Sequence, residues 1–139
     1  MLSLAYTLIA NDCAAALETV GLDPYVGYLH ALRPGRTSLA LDIMEEFRAY
    51  LGDRFVLSLI NKRQITPKDF LYQGDNGVVM TDKGRKTFIT AWQNRKRETI
   101  NHPYLNEKVE IGLLPYVQAM MLARYIRKDI DDYPVFLIK

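Results

Sequence analysis

The stretch Ser38-Leu39-Ala40-Leu41-Asp42-Ile43-Met44-Glu45-Glu46-Phe47-Arg48 decides the fold. At ~100° of rotation per residue, Ala40, Ile43, Met44 and Phe47 share one face of a helix, with Leu51 beyond them, while Asp42, Glu45 and Glu46 share the opposite face. A helix from about 38 to 51 follows, with Thr37 or Ser38 able to cap it. Leu39 and Leu41 border the acidic stripe, so it is less solvated than an ordinary surface face. Like charges three and four residues apart repel, so the pattern calls for something positive beside them, a cation or an arginine. One reading is a solvated acidic face. The other is a hard-metal site, because magnesium and manganese take oxygen ligands.

Outward from this helix, the same periodicity predicts a mostly helical chain. Residues 2–20 form a helix with Tyr6, Ile9, Cys13, Leu17 and Val20 on its apolar stripe. Gly21 stands where a left-handed cap is wanted, and Leu22 and the stop Pro24 follow. Residues 24–35 form a connector. Gly52 breaks or bends the chain, and Asp53 caps a third helix through roughly Arg63, with Phe55, Val56, Leu59 and Ile60 on its apolar side. Phe70-Leu-Tyr72 and Val78-Val-Met80 flank Gly74-Asp-Asn-Gly77 as a small β-hairpin. A fourth helix spans about 82 to 100, with Phe88, Ile89 and Trp92 inward. Residues 101–112 form a loop. A last helix runs from about 114 to 128, with Val117, Met121 and Tyr125 on one stripe and Pro115 in its first turn. The apolar tail Tyr133-Pro-Val-Phe136 packs on something. The expected class is one all-α helical domain over residues 1–139 with one small β-hairpin.

Composition bounds the function. With 139 residues, 49% of them hydrophobic, the chain has a real core and is not disordered. A net charge of +2 permits nucleic-acid binding without implying it, so any DNA contact has to come from local charge. The single cysteine, Cys13, excludes an internal disulfide and fits a reducing cytoplasm. No apolar stretch approaches the ~20 residues of a membrane span. Lys83, Lys86 and Arg97 lie roughly opposite Phe88 and Trp92, with Arg95 and Lys96 nearby. They form either a solvated face or a DNA-backbone track that Lys62, Arg63 and Lys68 could extend. His102 lacks neighbours at ligand spacing and reads as a loop stabiliser. His30 lies eight residues before Ser38, on a connector able to fold back onto the acidic helix. One imidazole with two carboxylates makes a borderline site that manganese fills readily.

These residues resemble a known family. Gly27-x-x-His30, Arg33-Pro34 and Ser38-Leu-x-x-Asp42-x-Met44-Glu45-Glu46-Phe47-Arg48 closely resemble the universal CRISPR adaptation integrase, Cas one. Gly21-Leu-Asp-Pro24, Asn61-Lys-Arg-Gln64, Asp69-Phe70, the run from Thr81-Asp82 to Trp92 and the closing Tyr133-Pro-x-Phe136 extend the resemblance over essentially the whole chain, closest in flavour to the type I-C variant. The resemblance implies a metal-dependent DNA endonuclease and integrase that inserts short spacer DNA into a repeat array by phosphoryl transfer. It implies His30 and Glu45 as ligands of Mg2+ or Mn2+, with Asp42 supporting the same site. Arg33 is expected on DNA phosphate near the metal, and Arg36 with it. No role follows for Glu46 or Arg48. The implied partners are double-stranded and branched DNA, a second copy of the chain, and the small second adaptation protein. The family's further metal-binding glutamate and its β-rich amino-terminal domain have no match here, so a C-terminal catalytic fragment, incomplete as a catalyst by itself, is expected. Two other readings stand beside this one: a non-catalytic DNA-binding or assembly module, and an unrelated helical scaffold.

Overall fold

The structure, a computed structural model, describes residues 1–22 and 38–136. Helix α1 (Leu2–Thr19) buries Ala5, Ile9, Cys13, Ala16 and Leu17, a stripe at helical spacing. Its end is the expected left-handed cap. Gly21 has φ +84°, its N–H donates to Glu18 O at 3.1 Å, and Leu22 N–H donates to Leu17 O at 2.9 Å.

Helix α2 (Ser38–Phe47) packs against α1 and turns Ile43, Met44 and Phe47 into the core, as its periodicity requires. The chain does not break at Gly52. A π-helical turn over Arg48–Asp53 carries α2 directly into α3 (Arg54–Asn61). The reason is steric. A Cβ at Gly52 would stand 2.7 Å from the Tyr6 ring, so the missing side chain is the space that α1 fills. Asp53 has helical dihedrals and caps nothing, and its carboxylate instead accepts the Tyr6 hydroxyl of α1. Phe55, Val56 and Leu59 of α3 are buried, whereas Ile60 is exposed, contrary to its expected inward position.

Strands β1 (Phe70–Tyr72) and β2 (Val78–Met80) pair antiparallel with Leu71 opposite Val79, which is the hairpin expected. Helix α4 (Asp82–Arg97) opens on Thr81, whose hydroxyl accepts Gly84 N–H at 3.0 Å. Phe88 and Trp92 are buried, each with its ring centroid 5.2 Å from that of Phe55 on α3.

The expectation of one hairpin needs correction. Helix α4 stops at Arg97, and Glu98 is extended with ψ 151°. A second hairpin follows, in which β3 (Thr99–Asn101) pairs with β4 (Lys108–Glu110), Ile100 opposite Val109. Both central residues lean on the core while their neighbours face solvent, so the alternation is real. It lasts only three residues on each strand, too few to register as a period against the preceding helix.

Helix α5 (Leu114–Ile126) packs on α1 and α2, with Pro115 in its first turn as expected. Its buried face is Leu114, Gln118, Ala119, Met121 and Leu122 rather than the stripe Val117, Met121 and Tyr125, and Tyr125 is exposed. The tail packs inward. Phe136 is buried, with ring centroids 5.0 Å from Phe47 and 5.8 Å from Tyr50. Among the described residues, no helix is long and apolar enough to cross a membrane.

Candidate functional site

Helix α2 is held between α1, α5 and the tail, so its remaining surface is the part free to do chemistry. Asp42 is only 8% exposed, whereas the Glu45 side chain is 40% exposed. The two carboxylates stand one helical turn apart on the same face. The positive charge that the acidic stripe calls for is Arg48. Its Nη1 donates to Glu45 Oε1 at 3.2 Å, and its guanidinium lies 4.6 Å from the centre of the Tyr6 ring. The Tyr6 hydroxyl first and the Glu45 charge second raise the Arg48 pKa further above its ordinary value.

Glu46 departs from the acidic face. Its carboxylate turns toward α5 and the tail and accepts three hydrogen bonds. Gln118 Nε2 donates to Oε1 at 2.9 Å, the Phe136 N–H donates to the same oxygen at 2.8 Å, and the Tyr133 hydroxyl donates to Oε2 at 2.6 Å. Burial nonetheless pushes the Glu46 pKa up, because the cost of taking the charge from water exceeds what the three donors return. The same Nε2, which has two hydrogens to share, also lies 2.9 Å from Tyr133 Oη and 3.1 Å from Pro134 O.

The amide oxygen of Gln118, Oε1, lies 2.8 Å from His102 Nε2. His102 Nδ1 accepts the N–H groups of Tyr104 at 3.1 Å and Leu105 at 3.2 Å. An imidazole nitrogen that accepts carries no proton, so the network assigns the proton to Nε2, which donates to Gln118. His102 therefore shapes the β3–β4 loop, as its lack of ligand spacing suggests. The sequence carried one faint sign that Glu46 is structural: it stands three residues from Ile43 and four from Tyr50, at the edge of the buried face.

His30, Arg33 and Arg36 lie outside the described residues. Lys83 and Arg97 are exposed on α4. Lys86 lines a cleft of about 310 Å³ with Gln64, Thr87, Thr90 and Asn94. A second hollow of about 210 Å³ shares Gln64 and Asn94 and is lined by Arg54 and Lys62 on the α3 side and by Arg95, paired with Glu98, on the α4 side. Helices α3 and α4 thus flank open polar hollows that carry Arg54, Lys62 and Lys86 together with the Arg95–Glu98 pair, separate in the sequence from the acids of α2. Among the described residues, no three His, Cys, Asp or Glu side chains converge as a metal cage.

The fold recurs in solved structures. The chain resembles the solved structure described as a casposase bound to integration product, with a TM-score of 0.85 and 27% identity over 97% of this chain and 39% of that one. The chain belongs to the CRISPR associated protein Cas1 family, whose sequence model matches residues 1–94. It is 58% identical over 99% of its length to the CRISPR-associated endonuclease Cas1 1 of Chlorobaculum tepidum, and 53% identical over its whole length to the Cas1 2 protein of Rhodospirillum rubrum. It spans about 40% of the length of each of these relatives.

Proposed function

We propose that this chain supplies the catalytic helix of a metal-dependent DNA endonuclease and integrase of CRISPR adaptation. The observation that carries the reading is the placing of Asp42 and Glu45 one turn apart on a helix whose opposite face is locked into the core. Their oxygen donors suit a hard divalent ion, Mg2+ or Mn2+, and His30 completes the proposed set. When bound, such an ion supplies Lewis-acid stabilisation of a crowded phosphate.

The residues of the chain supply the rest. Asp42 and Glu45 present fixed negative charge where a cation and a phosphate meet. Arg33 and Arg36 hold the DNA phosphates beside them, and the basic residues Lys83, Lys86 and Arg97 carry the flanking strand. A DNA 3′-oxygen forms a bond to phosphorus as the bond from phosphorus to the leaving 3′-oxygen breaks, and the hydroxyl proton ends on the leaving oxygen. No covalent bond to the protein is needed. A second copy of the chain and the small second adaptation protein belong to the same reading, through the family resemblance.

The test is Mn2+-dependent cleavage of branched DNA by the full reading frame that contains this chain, compared with His30→Ala and Glu45→Ala. Loss in both variants is expected. Cleavage indifferent to both substitutions would sink the catalytic assignment. The polar hollows between α3 and α4 favour a second reading, a DNA-binding module without catalysis. That reading expects salt-sensitive DNA binding with no cleavage, untouched by the loss of His30 or Glu45.

A further inference from the structure

Helix α2 carries two kinds of acid. Asp42 and Glu45 are the proposed ligands, while Glu46 faces away from them into hydrogen bonds made by α5 and the tail. Apolar contacts alone, such as those of Ile43, Met44 and Phe47, fix how deep a helix sits better than how it is rolled, because the hydrophobic effect has no direction. Hydrogen bonds to a carboxylate do have direction. Glu46 receives its donors from two separate elements, and one of these, Gln118, is itself pinned by His102 on the β3–β4 hairpin. His102, Gln118 and Phe136 are all at most 2% exposed, so the restraint is anchored in the interior.

A buried carboxylate is a costly way to fill space, and an apolar side chain of similar size would do so more cheaply. What the carboxylate adds is a fixed rotation of α2 about its own axis. Glu46 follows Glu45 directly and lies one turn beyond Asp42, so any roll at Glu46 displaces both acids.

We propose that Glu46, clamped by Gln118, Tyr133 and the Phe136 N–H, is a positioning residue that sets the roll of α2 and thereby the alignment of Asp42 and Glu45 for a divalent cation. This rests on the metal reading above. The clamp acts as an outer support to the ligands, through the helix backbone and without touching the ion.

The test is titration of the product of the full reading frame that contains this chain with Mn2+ alone, followed by the loss of the free-ion electron paramagnetic resonance signal. The variants are Glu46→Gln and Tyr133→Phe, with Glu45→Ala as the ligand control and Ile9→Val as a core control that lowers stability without touching the clamp. Glu46→Gln is expected to weaken Mn2+ affinity about 10-fold or more, the usual effect of removing an outer support. Tyr133→Phe should weaken it less, and Ile9→Val should leave it unchanged. If Glu46→Gln does not fold, Tyr133→Phe carries the comparison with Ile9→Val. Binding by the native protein that both clamp variants leave unaltered, or that Ile9→Val weakens equally, overturns the positioning role alone. A native full-frame protein that takes up no Mn2+ overturns the metal reading and this inference with it.

Discussion

The Tyr133 hydroxyl donates to Glu46 Oε2 at 2.6 Å, joining residues 87 apart in the sequence. The contact closes the tail over α2 and brings Phe136 onto Phe47. It explains why the apolar tail has to be inside, since the backbone N–H of Phe136 also donates to this carboxylate.

Removing that hydroxyl should therefore cost more than an ordinary surface substitution. Tyr133→Phe keeps the ring and deletes one donor to a charged, largely desolvated acceptor, which is expected to lower stability by about 1.5–3 kcal/mol. Urea unfolding would measure the loss. A change within a few tenths of a kcal/mol would mean that water replaces the hydroxyl without cost.

Alkaline pH should unfold the chain early. Burial chiefly, then the charges of Asp12 and Glu46, raise the Cys13 thiol well above its ordinary value of 9.0. Burial first, then the Glu46 charge, raises the Tyr133 phenol above its ordinary value of 10.0. Both groups stay protonated in the folded chain at a pH where the unfolded chain has released them. Their contribution is complete below pH about 9 and falls as pH climbs toward the folded values, at up to ~1.4 kcal/mol per pH unit for each group. Thermal melts from pH 8 to 11 would follow the decline, and Cys13→Ala should remove the part that begins near 9. A flat profile would contradict the burial of both groups.

How much of this the sequence revealed depends on the length of each signal. The buried side of α2 was legible because Ile43, Met44, Phe47 and Leu51 repeat over several turns. The first hairpin was legible from Gly74-Asp-Asn-Gly77, and the end of α1 from Gly21. The second hairpin was not, since Ile100 and Val109 are single inward residues on three-residue strands. The inward face of α5 was obscured by its most important member, the fully buried but polar Gln118. In the candidate site, the pairing of Asp42 with Glu45 and the need for a compensating charge were both readable. Arg48, three residues beyond Glu45, lies within reach of the same local pattern. That Glu46 faces inward depends on partners 72 to 90 residues away that no local pattern encodes.

Gly52, read as a place where the chain breaks or bends, is a contact with Tyr6. Gly52→Ala places a methyl group 2.7 Å from a Tyr6 ring that Asp53 and Arg48 hold in place. Overpacking of this kind should cost about 1–3 kcal/mol. Tyr6→Ala is destabilising alone but makes room, so the double variant should lose less than the sum of the two single losses. Strict additivity in denaturant unfolding would show that the two positions do not meet.

Helices α1, α3 and α5 end in the same pair of backbone hydrogen bonds, with a left-handed residue at Gly21, Arg63 and Lys128. Only the first is a glycine. Arg63 has φ +56°, its N–H donates to Ile60 O at 3.0 Å, and Gln64 N–H donates to Leu59 O at 3.0 Å, so the motif is complete despite its side chain. A left-handed backbone costs an L residue about 1–2 kcal/mol, whereas glycine adopts it without strain but gives up about 0.4–1 kcal/mol through its freer unfolded state. Arg63→Gly should therefore stabilise the chain by about 0.5–1 kcal/mol, raising Tm by ~2–5 °C. Lys128→Gly should do the same at α5, and Gly21→Arg should do the reverse at α1. A fall in Tm for Arg63→Gly would mean that the arginine side chain makes a contact worth more than the strain its backbone bears.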